Sequence, residues 1–473
     1  MSIRAMSVVC ASALGVASAA EVPVHYDWLG EDGRLRGGFA RIPADPPVQI
    51  DHGAIVGIER LPFGDLREGP GQNRVRTVYV GDGYLANELG LYAHRVEVSA
   101  QQVFAVEPLR TYEPLFEVFR VDIVSNESGV SHDPTFPIWR DTALGMRYWC
   151  NNMERLLCVN TNAARAFAQA ATNPAQPDLI IALANSGKYG GAGYPSLAIG
   201  TAAANNSAAS QIVIHEIGHA LGRLADEYDY GGPTVYTGRE PTAANSSIYT
   251  AQQQLAQGRK WHRWIGENIP ALDGVHSTFE GSSYSEEGVY RPTNNSMMRS
   301  LNRPFNAPSA EALVIEIYKL VRPIDAVFPE QGAVAGCQPL SVTPVQPFNH
   351  ALDIEWFADG VPLAFSGSTL DPCDPAFGLT GSVLIEAVVT DNTEFVRDPQ
   401  ARNMYMTDSA SWTVDIPAAC PADLTGDGVV DADDFFLFLQ LFAAGDPIAD
   451  FNNDGVIDAD DFFAYLAAFA QGC

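Results

Sequence analysis

The run Ile212-Val213-Ile214-His215-Glu216-Ile217-Gly218-His219-Ala220-Leu221-Gly222-Arg223-Leu224-Ala225-Asp226-Glu227-Tyr228 constrains this chain more than any other stretch. It sets His-Glu-x-x-His inside an amphipathic segment. On a helix, residues four apart lie one above the other on the same face, so His215 and His219 point together. Two imidazoles at that spacing reach one zinc ion at about 2.0–2.1 Å each. Glu216 projects beside them, where a carboxylate can take a proton from an activated water. A core helix with two incidental histidines is the plain alternative. Gly222 and the Asp226-Glu227-Tyr228 sequence after it argue against that alternative.

Catalytic zinc needs three protein ligands and an open position. If the helix ran straight past Gly222, Asp226 would lie about 10 Å beyond His219 along the axis, out of reach. A turn at Gly222 brings Asp226 or Glu227 back to the metal. His262, His276 and the Glu286–Glu287 pair are the competing third ligands.

The length of 473 residues exceeds what one core holds and predicts several domains. A net charge of −29 argues against nucleic acid as a partner, because phosphate binding needs a basic surface. At the N-terminus, Arg4, the mostly apolar Ala5–Val16 and the small residues Ala17-Ser18-Ala19-Ala20 read as a secretory signal over residues 1–20. No run is long enough for a transmembrane helix, so the protein is expected to be secreted or held at the cell surface. With Cys10 removed, six cysteines remain. In an exported chain they favour disulfides, paired by proximity as Cys150–Cys158, Cys337–Cys373 and Cys420–Cys473.

Residues 21–73 read as a β-rich entry segment with turns such as Glu31-Asp32-Gly33. Val75–Val80, Phe116–Val124 and Leu179–Ala184 have strand composition, and a helical stretch runs to about Phe104. This alternation predicts an α/β domain over 74–323. The glycine-rich run Lys188–Gly200 is either a surface loop or an edge strand that offers its backbone to an extended substrate, with Gly191, Ala198 and Gly200 as contacts. Over 324–418 the runs Leu352–Trp356, Ser382–Val389 and Ser411–Ile416 suggest an immunoglobulin-like β-sandwich.

Residues 420–473 hold eleven Asp and no Lys or Arg, arranged as a repeat of period 27. The first copy places Asp423, Thr425, Asp427, Val429, Asp431 and Asp434 at loop positions 1, 3, 5, 7, 9 and 12. The second places Asp450, Asn452, Asp454, Val456, Asp458 and Asp461 there. Hard oxygen donors at this spacing, with glycine at position 6, suit two structural Ca²⁺ ions. Each loop runs into an apolar helix. The pattern resembles a type I dockerin, which implies a calcium-folded module that docks a cohesin-like or cell-surface partner.

His215–Tyr228 resembles the metzincins, and within them the IgA peptidase family M64. Gly81-Asp82-Gly83-Tyr84, Ser125-Asn126-Glu127-Ser128-Gly129 and Tyr290-Arg291-Pro292 leading to Ser296-Met297-Met298-Arg299 extend the likeness over roughly residues 74–320. The resemblance implies a zinc endopeptidase with His215, His219 and Asp226 as ligands and Glu216 as general base. The commonest metzincin ligand position falls on Ala225, one residue short of Asp226. Met298, or Met297, matches the methionine beneath the metal. Tyr290 or Tyr228 is the candidate donor to a developing oxyanion. Two other readings compete. One is a calcium-dependent adhesion protein with an inactive enzyme-like domain, against which the intact His215, Glu216 and His219 speak. The other is a zinc hydrolase of cell-wall peptide bonds.

Overall fold

The apolar runs become strands of one mixed sheet in the computed structural model, which describes residues 21–30, 35–65, 73–230, 232–416, 420–426 and 428–472. The signal-like N-terminus, the Glu31-Asp32-Gly33 turn, Asp427 and Cys473 lie outside the described residues. In chain order come β1 (Glu21–Leu29), β2 (Leu35–Pro43), β3 (Ile55–Gly64), β4 (Val75–Asp82), α1 (Leu89–Val103), β5 (Phe116–Ile123) and α2 (Thr161–Thr172). They are followed by β6 (Leu179–Ala184), β7 (Gly191–Tyr194), β8 (Ile199–Ala203) and α3 (Ala209–Ala220). The sheet order is β2-β1-β7-β8-β6-β4-β5-β3. Strands β5, β4, β6 and β8 run parallel, and β7 is antiparallel to β8.

Every residue of β6 is buried, as befits a parallel strand covered on both faces. On one face Ala164, Phe167 and Ala168 of α2 pack with Val78, Val80, Ile180 and Ala182. On the other, α3 crosses β7 and β8 and packs with α1. The segment read as a β-rich entry is thus part of this sheet. The hairpin β1–β2 extends it beyond β7, and β3 closes it beyond β5.

The Gly-Asp-Gly-Tyr motif ends β4. Asp82 is fully buried and accepts from Leu144 N (2.8 Å), Met146 N (2.7 Å) and Thr142 Oγ1 (2.8 Å), which ties the following irregular excursion to the sheet. Gly83, at φ +74, meets Gly129 closely, and Gly129 N donates to Gly83 O at 2.9 Å. The same excursion holds the Cys150–Cys158 disulfide.

The chain continues through α4 (Ala251–Gln257), the pair β9 (Asn268–Ile269) and β10 (Gly274–Val275), the hairpin β11 (Phe279–Ser282) and β12 (Ser285–Arg291), and α5 (Ala307–Tyr318). The first compact unit ends at Pro323 but also takes in Val345–Ala351 and Asp391–Met406, which includes α6 (Pro399–Tyr405). The boundary read at 323/324 is therefore not a single cut. Asp391 helps to hold these returns: fully buried, it accepts from Tyr112 OH (2.9 Å) and Tyr318 OH (2.7 Å) and pairs with His350 Nε2 (2.9 Å), while Glu311 accepts from Arg397 N (2.7 Å) and Asp398 N (2.9 Å). Burial would raise the Asp391 carboxyl, but His350 and Tyr318 hold it below its ordinary value.

The second unit contains Ile324–Pro344, Leu352–Thr390 and the chain from Thr407. Its strands are β13 (Ile324–Phe328), β14 (Gly332–Ala335), β15 (Leu340–Pro344), β16 (Asp353–Ala358), β17 (Val361–Pro362), β18 (Thr369–Leu370), β19 (Gly381–Thr390) and β20 (Thr407–Ile416). They form two sheets, β13-β15-β18 and β14-β20-β19-β16-β17. Trp356 and Trp412 stack at 5.9 Å, and Cys337–Cys373 is bonded. The repeat forms α7 (Ala432–Ala444) and α8 (Ala459–Gln471), joined by a core in which Phe438 and Tyr465 stack at 4.0 Å.

Candidate metal centre

His215, Glu216 and His219 are all buried on α3. The helix ends at Ala220, and the chain reverses through Arg223, which takes φ +53. Leu224 N donates to Gly218 O at 2.9 Å, closing the turn. Gly222 lies within this turn. A Cβ there would stand 2.9 Å from Gly218 O and from Leu313 Cδ2, so close packing requires the glycine, while the left-handed residue is Arg223.

The reversal lays Asp226 against both imidazoles. Its Oδ1 is 3.0 Å from His215 Nε2 and 3.3 Å from His219 Nε2, and the two Nε2 atoms are 3.2 Å apart. Glu227 turns the other way, accepting from Asn245 Nδ2 (2.9 Å), Asn306 Nδ2 (2.7 Å) and Ser296 Oγ (2.7 Å). Burial pushes it up to about 7 against these donors. His276 accepts from Ala307 N, His262 lies beside Arg259 O, and Glu286 and Glu287 sit on β12.

Each imidazole is oriented from behind. His215 Nδ1 lies 3.1 Å from Met297 O, and His219 Nδ1 lies 2.8 Å from Leu224 O. A carbonyl only accepts, so each Nδ1 carries the proton and each Nε2 turns a lone pair inward. These lone pairs and the Asp226 carboxylate can share one proton or one cation. The electrostatics show the same competition. Burial opposes charge on His215, but Asp226 and Asp27 outweigh it and carry it up to about 9. Burial takes His219 down to about 4, only partly offset by Asp226. Burial would raise Asp226, yet His219 and His215 hold it well below the usual carboxylate range.

Met298 packs its sulfur on the turn of α3 that carries both histidines, since a Cβ on Gly218 would stand 2.5 Å from its Sδ. Glu227 N donates to Met298 O at 2.7 Å. Glu216 is fully buried, and neither of its oxygens has a hydrogen-bond partner. Burial first, then Asp27 and Asp226, push it well above the ordinary value. Gly191 and Gly200 face this residue. A Cβ at Gly191 would come 2.7 Å from Glu216 Oε1, and one at Gly200 would come 3.3 Å from its Cβ. Ala198, at φ +54, turns the chain between β7 and β8, and its carbonyl accepts from Ile180 N.

Tyr290 lies on β12, exchanging backbone hydrogen bonds with Ser247. The tyrosine whose hydroxyl reaches the cluster is Tyr284, which donates to Asp226 Oδ2 and lies 2.8 Å from His25 Nδ1. Tyr228 packs on it at 5.4 Å with a buried, unpartnered hydroxyl. Two further residues come from β1. His25 stacks on His219 at 4.2 Å, with Nδ1 3.2 Å from Asp226 Oδ2. Asp27 Oδ2 lies 3.6 Å from His215 Nε2. His25 and Asp27 are two apart on a strand and so share a face, a signal the sequence carries only once that face is known to be inward.

In the acidic repeat, carboxylates meet their own backbone. Asp423 accepts from Gly426 N and Gly428 N, both at 2.8 Å. Asp450 accepts from Asp454 N (3.1 Å) and Gly455 N (2.9 Å). Asn452 and Asp454 accept from Asp454 N and Val456 N, while Thr425 Oγ1 bonds Asp423. Asp431 and Asp458 cap α7 and α8, and Asp434 and Asp461 complete the capping boxes. Val429 and Val456 are exposed. Among the described residues, the His, Cys, Asp and Glu groups that could hold a metal ion all belong to the one centre at α3, as His25, His219 and Asp226 and as Asp27, His215 and Glu216.

No curated protein matches the chain. The model of the IgA peptidase M64 family matches residues 66–273, from the approach to β4 past the reversal at Asp226, and this likeness supports a peptidase acting on a polypeptide.

Proposed function

We propose that the chain is a secreted zinc-dependent endopeptidase that ends in a calcium-binding docking module. The observation that carries this reading is the inward-facing set His215 Nε2, His219 Nε2 and Asp226 Oδ1. A tetrahedral zinc site with bonds of about 2.0–2.1 Å has ligand–ligand edges of about 3.3–3.4 Å. The three edges here are 3.0, 3.2 and 3.3 Å, so the donor set fits zinc in number, chemistry and size. When bound, zinc supplies Lewis acidity towards the scissile carbonyl and towards water.

The chain's own groups supply the rest. Met297 O and Leu224 O fix the ligand tautomers, and Met298 packs the helix turn from behind. Glu216 is dry and without a hydrogen-bond donor, so its carboxylate is a stronger base than an exposed one. It takes the proton of the attacking water and returns it to the leaving amine. Tyr284, whose hydroxyl bonds Asp226, is the best-placed donor to a developing oxyanion, with Tyr228 packed against it.

Export is supported by the signal-like residues 1–20 and the disulfides Cys150–Cys158 and Cys337–Cys373. Among the described residues no helix is long and apolar enough to cross a membrane. Two calcium ions in the repeat, and a cohesin-like partner for it, rest on loop spacing and on the dockerin resemblance. The test is Glu216→Gln. Hydrolysis of casein should fall by about 10²–10⁴-fold while the zinc content stays unchanged. A variant that still cleaves casein at the wild-type rate would overturn Glu216 as the general base, and a wild type that cleaves no casein with zinc bound would favour the adhesion reading.

A further inference from the structure

The open edge of β7 is where an extended polypeptide would add to the sheet beside Glu216, and that edge is taken. Strand β1 pairs with it antiparallel, with His25 opposite Gly193, Tyr26 opposite Ala192 and Asp27 opposite Gly191. The two-residue period of the strand turns His25 and Asp27 to one side and Tyr26 and Trp28 to the other, where their rings stack at 5.9 Å. The inward pair enters the metal centre.

Asp27 is 1% exposed, and neither carboxylate oxygen has a hydrogen-bond partner, although the Tyr189 hydroxyl lies near. A buried carboxylate left without donors is costly unless a cation compensates it. Its Oδ2 stands 3.6 Å from His215 Nε2, close to the edge length of the same tetrahedron. Asp226 and the two imidazoles already meet on one point, and Asp27 stands beside His215 where a fourth donor would enter. It also brings a second carboxylate into the space Glu216 needs for its water, since Asp27, His215 and Glu216 donors lie within 4.8 Å of one another.

We propose that β1 is a self-inhibitory strand whose Asp27 carboxylate completes the zinc coordination, so that the full chain is latent until β1 leaves the β7 edge. The proposal rests on the zinc-peptidase reading. His25 secures the strand by stacking on His219, and Tyr284 holds both His25 and Asp226. The link from β2 to β3 offers exposed residues at Pro46, Pro47, Val48 and Gln49, where hydrolysis of one peptide bond by another peptidase would free the hairpin from the rest of the chain.

The experiment uses the full chain with zinc and three proteins: wild type, Asp27→Ala and Asp27→Asn. Asn is close to isosteric and guards against a folding defect in the alanine variant. Binding of a small hydroxamate, which needs an open coordination position, is measured by calorimetry beside casein hydrolysis and release of zinc to a chelator. If the site is open in about one molecule in a hundred, apparent affinity and rate are lowered about 100-fold. Asp27→Ala should then bind hydroxamate at least about tenfold more tightly, cleave faster and release zinc sooner, with Asp27→Asn between it and wild type. Wild-type hydroxamate affinity and zinc release in both variants would overturn the proposal. If none of the three proteins retains zinc, the zinc-peptidase reading itself fails.

Discussion

The centre on α3 and the loops before α7 and α8 both gather oxygen and nitrogen donors, yet they treat their own backbone in opposite ways. In the loops, the carboxylates at positions 1, 9 and 12 accept chain amides, so each loop keeps its shape through local hydrogen bonds. On α3, the backbone carbonyls bond the far sides of the imidazoles, and the near sides face one another with no donor between them. A loop of the first kind forms from short-range sequence. A cluster of the second kind forms only because the surrounding fold holds it, and it demands a charge to complete it.

Asp226→Asn is the sharpest way to break this contrast. It removes the carboxylate that both histidines contact and should sharply lower zinc retention and casein hydrolysis together, while far-ultraviolet circular dichroism stays as in wild type. Normal zinc content in this variant would move the third ligand elsewhere.

The second test is aimed at the repeat. Phe438 is fully buried between the two helices, so Phe438→Ala should cost about 3–5 kcal/mol of the stability of α7 and α8. Selective loss of amide protection in 432–471, with casein hydrolysis unchanged, would show that the two regions are independent. Loss of activity in step with protection would show that they are not.

The smallest effect is with acid. Asp434 is held below its ordinary value by amides of Asp431 and Thr425, and Asp461 by those of Asn452 and Asp458. A depressed folded pKa contributes stability that is present above the unfolded value and lost as pH falls through the folded one. Without calcium, α7 and α8 should therefore hold at pH 5 and fray only below the ordinary 3.8. Fraying at pH 5 would mean that the caps are not what keeps the loops closed.

Helical spacing made His215, Glu216 and His219 legible, because four residues on one helix fix a face whatever surrounds it. Spacing alone left Asp226 and Glu227 both open, and only the resemblance pointed to Asp226, since their directions depend on Arg223 entering the left-handed region just after Gly222. Tyr284 carries no signal of its own beside Tyr290. The two share one hairpin, and the difference is that Tyr284 occupies its turn at φ +66 while Tyr290 lies in the ladder. His25 and Asp27 were illegible for a deeper reason. Their segment reads as a strand, but no local pattern says that its partner is β7. The alternation of strands and helices was plain in composition, whereas the return of 345–351 and 391–406 to the first unit rests on long-range contacts, the Asp391 carboxylate among them.

That carboxylate bears on how the protein can be divided. A fragment stopped at Pro323 keeps Tyr112 and Tyr318 but discards Asp391, the acceptor of both hydroxyls. Two buried phenols would lose their partner at about 1–3 kcal/mol each. Excision along the linear map would thus wound the interior of the piece it is meant to isolate. A shortened version needs the returning segments 345–351 and 391–406, or a new acceptor where Asp391 now stands.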